Sequence, residues 1–413
     1  MVDFSILKNR HFVKLWVGQS VSLFGSLVSR LALPFLVIYT MHATAKQVAL
    51  LRICEVAPGI IVGLFAGVWV DRLKRRQVMI VSDVVRAILV GSIPLLLFLG
   101  HLGWAQIWLV AIAVSVFSVT FDSAYGAYIP TLVDEDQITD ANAKLSATGA
   151  VSEVVGFGLS GALFEWLGGA ITLSLDAVSF IFSAFTLMSI CKLETHCEQE
   201  EQREPLLQEL RKGLQYLWEN KTLSLLSGVA GIQNIFYGIS GTVYVLYISR
   251  GLHVMPGIQG VLYAVGGLGA FVTSTLADGL FKRMRFGKVF ILASLVGVVG
   301  SALLPLASGP MWLLVVFILA QQLIGDGADT VFEIGVSSFC QARTTNAYLG
   351  RVNSIWQVIT SICLLAGTLI GGEIATIIGL RNTLFVAVMI RLIGLALTSM
   401  SPLRKVVSIE VAD

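Results

Sequence analysis

Residues 67–76 read Gly-Val-Trp-Val-Asp-Arg-Leu-Lys-Arg-Arg, which sets one acid and four cations between two apolar segments, each long enough to cross a bilayer. A connection this short cannot be a domain. Its positive charge holds it at a membrane surface, where the Asp71 carboxylate can act at a helix end. The rest of the chain obeys the same constraint. Of its 413 residues 56% are hydrophobic and 13% charged, against about 25% charged in a soluble domain.

A helix needs about 20 apolar residues to span the hydrocarbon. Apolar runs bounded by charge, Gly or Pro place spans at 12–40, 47–70, 77–100, 104–130, 141–166, 171–191, 222–249, 257–280, 287–307, 311–339, 350–378 and 382–401. These twelve spans predict an all-α membrane protein. Cations gather in the amino-terminal tail, at 72–76, in 192–221, at 282–288, at Arg343 and Arg351, and at Arg404 and Lys405. Alternate connections hold isolated ones such as Lys46, Arg250 and Arg381, so both termini are expected in the cytoplasm. The apolar stretch behind Lys8, Arg10 and Lys14 runs too far for a secretory leader and reads as an uncleaved first span.

Several function classes fall away. The net charge of +2 is spread over helix ends and offers no face to nucleic acid. The five cysteines, Cys54, Cys191, Cys197, Cys340 and Cys363, show no Cys-x-x-Cys spacing, so neither a disulfide framework nor a metal site is expected. No Gly-x-x-x-x-Gly-Lys-Ser/Thr loop is present, so ATP is not the expected fuel; no enzyme motif and no cofactor are expected.

The chain divides into residues 1–191, a linker 192–221, residues 222–401 and a tail 402–413. Leu206, Leu207, Leu210, Leu214, Leu217 and Trp218 recur at helical intervals in the linker, which predicts an amphipathic helix on the inner membrane surface. The two halves resemble each other. A shift of 207 lays Asp71 on Asp278, Arg75 on Lys282 and Arg76 on Arg283, and a shift of 211 lays Asp122 on Glu333 and Asn142 on Asn353.

The Asp71-Arg72-x-x-Arg75-Arg76 loop, the twelve-span two-half layout and the long middle loop resemble the major facilitator superfamily over essentially the whole chain. Asn9-Arg-His-Phe, Ile129-Pro-Thr-Leu-Val, Asp176-Ala-Val-Ser-Phe and Leu349-Gly-Arg-Val-Asn are similar to its drug:proton antiporter branch, which contains macrolide-efflux proteins and the enterobactin exporter. The resemblance implies two pseudo-symmetric six-helix halves around a midplane cavity. It also implies a cytoplasmic gate in the Gly67–Arg76 loop, where Asp71 sits at the amino end of the eleventh span near Gly350 and Arg72, Arg75 and Arg76 reach Asp122, with Asp278, Lys282 and Glu333 as a weaker counterpart. Gly149, Gly156, Gly158 and Gly161 resemble the branch's glycine-rich motif, although Phe157 stands where the family usually has Pro.

An ionisable group inside a span costs at least ~2.5 to 3.5 kcal/mol on insertion scales, so each one is expected to face a cavity or a partner. Glu153, near mid-membrane, is placed either to carry a proton or to pair with a cation. Arg30 and Glu55 fall at similar heights on neighbouring spans, as a plain salt bridge or as a proton switch. Asp176 is expected to cap or pack. Asp326, Asp329 and Glu333 share one helical face, with at least one turned to the cavity. Trp16, Phe24, Phe121, Tyr125, Phe236, Tyr237, Tyr244 and Trp356 are candidates for an apolar pocket, with Gln19, Gln233 and Asn234 supplying hydrogen bonds.

The expected protein is a monomer of a bacterial inner membrane that exchanges protons for a small, bulky amphipathic substrate, its other partner being the lipid bilayer. A small-solute importer or facilitator, and a non-transporting scaffold, are the rival expectations.

Overall fold

Hydrocarbon offers no water to satisfy a backbone, so each spanning segment must close its own hydrogen bonds as a helix. The structure, a computed structural model, describes residues 5–71, 73–190, 206–400 and 404. In chain order it holds α1 (Arg10–Phe35), α2 (Ala45–Asp71), α3 (Arg75–Phe98), α4 (Trp104–Leu132), α5 (Ile138–Met188), α6 (Leu206–Glu219), α7 (Lys221–Leu246), α8 (Pro256–Arg283), α9 (Phe286–Leu306), α10 (Met311–Gln321), α11 (Gly327–Arg343), α12 (Asn346–Ile378) and α13 (Leu380–Met400). Single π turns extend α1 (Leu36–Thr40) and α7 (Tyr247–Gly251), and another, Gln322–Asp326, joins α10 to α11.

Eleven segments are long and apolar enough to cross a membrane. The longest, Glu135–Met188, breaks at Gly168, whose φ of 78° and ψ of 164° only glycine adopts without strain, and so makes two passes. The described residues therefore contain the twelve expected passes.

The two halves follow one plan. Asn9 accepts from the amides of His11 and Phe12 to start α1, and Asn220, 211 residues on (220 − 9), accepts from Thr222 and Leu223 to start α7. At the same offset recur the two π turns that end α1 and α7 and the left-handed histidines after them, His42 (φ 52°) and His253 (φ 57°). So do the starts of α2 and α8 and of α3 and α9, and the glycine breaks Gly168 and Gly379. This corrects the shift of 207 expected around the charged loops. By 211, Gly67 falls on Asp278 and Asp71 on Lys282. Four residues are about one helical turn, so the charge pattern of α8 has moved one turn while keeping nearly the same face.

Glycines set the closest helix pairs. A Cβ on Gly238 of α7 would sit 2.6 Å from the Thr368 nitrogen of α12, and one on Gly371 of α12 would sit 2.8 Å from the Ile239 Cα. In the equivalent pair, Gly156 of α5 lies against Leu27 and the Phe24 carbonyl of α1, and Ser160 Oγ donates to the Val28 carbonyl at 2.8 Å. Small residues are what let membrane helices approach this far.

Two compact units result: Met1–Ala43, Leu50–Gln199 and Met255–Ala264 form unit 1, and Thr44–Ala49, Glu200–Val254 and Val265–Asp413 form unit 2. The first turns of α8 belong to unit 1, where the Gly257 amide donates to Glu165 Oε2 at 2.9 Å. Those of α2 belong to unit 2, where Lys46 pairs with Glu373 at 2.7 Å. Lys46 and Gly257 are repeat counterparts, so both helices use one position for anchoring.

The expected linker helix is α6. Its described face does not simply lie on lipid: Gly213 and Leu217 are buried, Gly213 packs on the Arg351 backbone, and Tyr216 stacks on Tyr348 with centroids 4.7 Å apart. Trp218, 68% exposed, remains free to meet the membrane. Leu206, Leu207 and Leu210 have side chains outside the described residues, as do Cys191 and Cys197 entirely.

Replacing Gly238 by Val should overpack the α7–α12 contact by about 1–3 kcal/mol and lower the melting temperature of the detergent-purified protein. Gly228→Ala, which adds a methyl where nothing lies within 4 Å, should leave it unchanged in the same scan.

Candidate functional site: a cavity and two buried arginines

Unit 2 contains a cavity of about 350 Å³ bordered by α7, α11 and α12. Helix α7 contributes Ala230, Gln233, Asn234 and Tyr237; α11 contributes Phe332, Glu333, Val336, Ser337 and Cys340; α12 contributes Asn353, Trp356, Gln357 and Thr360. Successive residues on each helix are three or four apart, so one stripe of each faces the space. The lining is aromatic and aliphatic with a few amides and hydroxyls, the mixture that binds small molecules. Glu333 is the one charged residue in it, and the Tyr237 hydroxyl donates to its Oε1 at 3.4 Å.

Behind this wall lies a buried ion pair. Arg391 of α13, 4% exposed, bonds the Asp329 carboxylate of α11, 9% exposed. Gln233 Nε2 donates to the same carboxylate oxygen at 3.3 Å, and the guanidinium carbon lies 4.7 Å over the Phe236 ring. Gly297 of α9 makes room, since a Cβ there would collide with the guanidinium. In a low-dielectric interior each charge needs the other, so the pair is fixed in place.

Unit 1 buries a second arginine. Arg86 of α3 pairs with Asp83 at 2.5 Å, its Nη1 donates to Ser118 Oγ at 3.5 Å, and its guanidinium lies 4.4 Å from the centroids of both Phe121 and Phe180. At the 211 offset Arg86 corresponds to Gly297, Phe180 to Arg391 and Ser118 to Asp329. Each unit thus fills the gap between counterpart helices with a guanidinium, entering from α3 in one and from α13 in the other.

The structure gathers Gln233, Asn234, Tyr237, Glu333 and Trp356, all named from the sequence, into the unit 2 cavity. Other candidates lie elsewhere. Phe121 is 1% exposed and roofed by Arg86, which removes it from a substrate surface. Gln19 is part-buried, with its Oε1 enclosed and unbonded. Glu55 pairs with Arg52 at 3.4 Å and not with Arg30, because residues three apart on α2 share a face. Glu153 is exposed on α5, and Asp326 is half-buried against Gly266 beside Gln322. Asp176, 2% exposed, accepts from Ser179 Oγ at 3.3 Å and packs on Gly25.

Of the expected gate, the side chain of Asp71 and the whole of Arg72 lie outside the described residues, and Gly67 is in the last turns of α2. Arg75 Nη1 donates to the Ala127 carbonyl at 3.0 Å, five residues beyond the exposed Asp122 on α4. Arg76 donates to the Leu187 and Met188 carbonyls at 2.8 and 2.7 Å, a cation on a helix carboxyl end. Asp278 and Lys282 pair with each other at 2.6 Å, both exposed, away from Glu333. The sequence reading overlooked Asp83, Arg86 and Arg391. The insertion cost that singled out the acids applies equally to two arginines in apolar spans and would have found them.

Twelve passes in two like halves with a cavity among helices is the architecture of a major facilitator transporter. The profile of a family described as transmembrane secretion effector matches residues 1–412, and the chain belongs to that family. Macrolide efflux protein A of Streptococcus pyogenes is 25% identical over 386 residues, covering 90% of this chain and 91% of that protein. The enterobactin exporter EntS of Citrobacter koseri is 26% identical over 380 residues, covering 90% and 87%. In fold, the chain is similar to the nucleoside transporter NupG (TM-score 0.77, 11% identity, 94% of this chain and 98% of that one). It is also similar to an inward-facing bacterial homologue of the iron transporter ferroportin (TM-score 0.70, 18% identity, 95% and 98%).

Arg391→Ala should strand the Asp329 charge and cost about 3–5 kcal/mol, read as a large fall in melting temperature. The pair of changes Arg391→Met with Asp329→Leu should recover most of it, because no buried charge is then left alone.

Proposed function

We propose that this protein is a secondary efflux transporter of a bacterial inner membrane that exchanges protons for a bulky amphipathic compound by alternating access. The observation that carries the reading is the unit 2 cavity, which combines aromatic walls with a few amides and one acid on a transporter fold. Gln233, Asn234, Tyr237 and Trp356 would hold the substrate there. The names of the relatives, a macrolide efflux protein and an enterobactin exporter, mark the kind of cargo: a macrolide-like drug or a siderophore.

Glu153 and Asp326 are the proposed proton carriers. Asp329 is held by Arg391 and Gln233, and Asp83 by Arg86, so neither is released without stranding a charge. Asp71, Arg72, Arg75 and Arg76 with Asp122 would latch the cytoplasmic mouth, with both termini on that side and the chain acting as a monomer.

The test is proton movement in proteoliposomes holding a preset pH gradient, challenged with macrolides and catechol siderophores. One compound should trigger proton release, and Glu153→Gln or Asp326→Asn should reduce that release by tenfold or more. Transport of the same compound at an unchanged rate after the gradient is collapsed would replace antiport with facilitation.

A further inference from the structure

The unit 2 cavity also carries a charge preference. Glu333 is exposed to the cavity and its described hydrogen bond is to a neutral donor, the Tyr237 hydroxyl. Arg391, the guanidinium nearest Asp329, is buried behind the wall and committed to that carboxylate. Asp329 lies one turn before Glu333 on α11, so no uncompensated positive charge reaches the space from that side. Three aromatic residues, Tyr237, Phe332 and Trp356, border the same space, and aromatic faces attract cations. The remaining polar lining groups are neutral amides and hydroxyls. An anionic ligand entering here would meet a carboxylate and no counter-ion; a cationic one would find a counter-ion among aromatic side chains.

We propose that this cavity recognises a bulky organic cation, a hydrophobic ring system bearing a protonated or quaternary centre, with Glu333 as the counter-ion and Tyr237 and Trp356 as its aromatic walls. The inference rests on the efflux reading for its biological meaning, and it selects a basic amphipath over an anionic siderophore as cargo. The 350 Å³ of space falls within the range of pockets that hold drug-sized molecules. Tyr237 is a positioning residue for Glu333, since its hydroxyl fixes the carboxylate in the wall.

Tetraphenylphosphonium and tetraphenylborate have nearly the same size and shape and opposite charge, so they isolate the charge term. Equilibrium dialysis of the detergent-purified full chain, with no gradient present, should show the phosphonium bound at least tenfold more tightly than the borate. Glu333→Gln should weaken phosphonium binding about tenfold with little effect on the borate, and Glu333→Asp should retain most of it. Equal or tighter binding of the borate, absence of phosphonium binding, or phosphonium affinity unchanged in a folded Glu333→Gln protein would each overturn the proposal. The comparison of the two ions on the unaltered protein stands even if a variant does not fold. Phosphonium binding without any proton-linked movement in proteoliposomes would sink the efflux reading and leave the charge preference intact.

Discussion

A charge placed in hydrocarbon has to find its partner inside the same helical bundle, and most of what distinguishes this molecule follows from how it meets that demand. Arg391 and Asp329 neutralise each other where α13 and α11 meet, and Arg86 and Asp83 do so one turn apart on α3. Because these pairs cannot be opened without leaving a buried ion, they behave as fixed points around which the helices pack. The charged group left at the cavity is Glu333, which a hydroxyl holds instead of a cation.

The second constraint is duplication. Helix caps, π turns, left-handed histidines and the glycine breaks recur 211 residues apart, so the backbone of one half is close to a copy of the other. The copies differ around the buried arginines. Phe121 and Phe332 are counterparts, yet Phe121 is sealed under the Arg86 guanidinium while Phe332 lines the cavity. The cause is the origin of the arginine. Arg86 rises from α3 and covers Phe121 of α4, whereas Arg391 comes from α13 and lies over Phe236 of α7, and Phe332 is stacked on Phe290 instead. An arginine on the third helix of one half and one on the sixth of the other thus cover different aromatic rings.

The sequence carried the spans well, since length and apolarity alone decide whether a segment crosses a membrane, and the observed ends lie within a few residues of the expected ones. It carried the α7 and α12 side of the cavity in part, through Gln233, Asn234, Tyr237 and Trp356, the polar and aromatic residues of those spans that line it. What it could not give was rotation and pairing. Arg30 and Glu55 sit at like heights, but Arg52 shares a helix face with Glu55 and takes it. Phe121 reads like any aromatic in a span until the arginine above it is seen. Both shifts, 207 and 211, can be read in the sequence, but only the backbone shows that 211 is the repeat and that Asp278 and Lys282 are displaced by one turn.

The central claim is that substrate lies against α7, α11 and α12 within unit 2. It is tested most directly by photolabelling the reconstituted protein with a diazirine-bearing lipophilic cation and mapping the modified peptides by mass spectrometry. Label on the peptides holding Tyr237 and Trp356, competed away by excess unlabelled cation, is the predicted result. Competable label confined to peptides of other helices, with these two unmodified, would contradict the account.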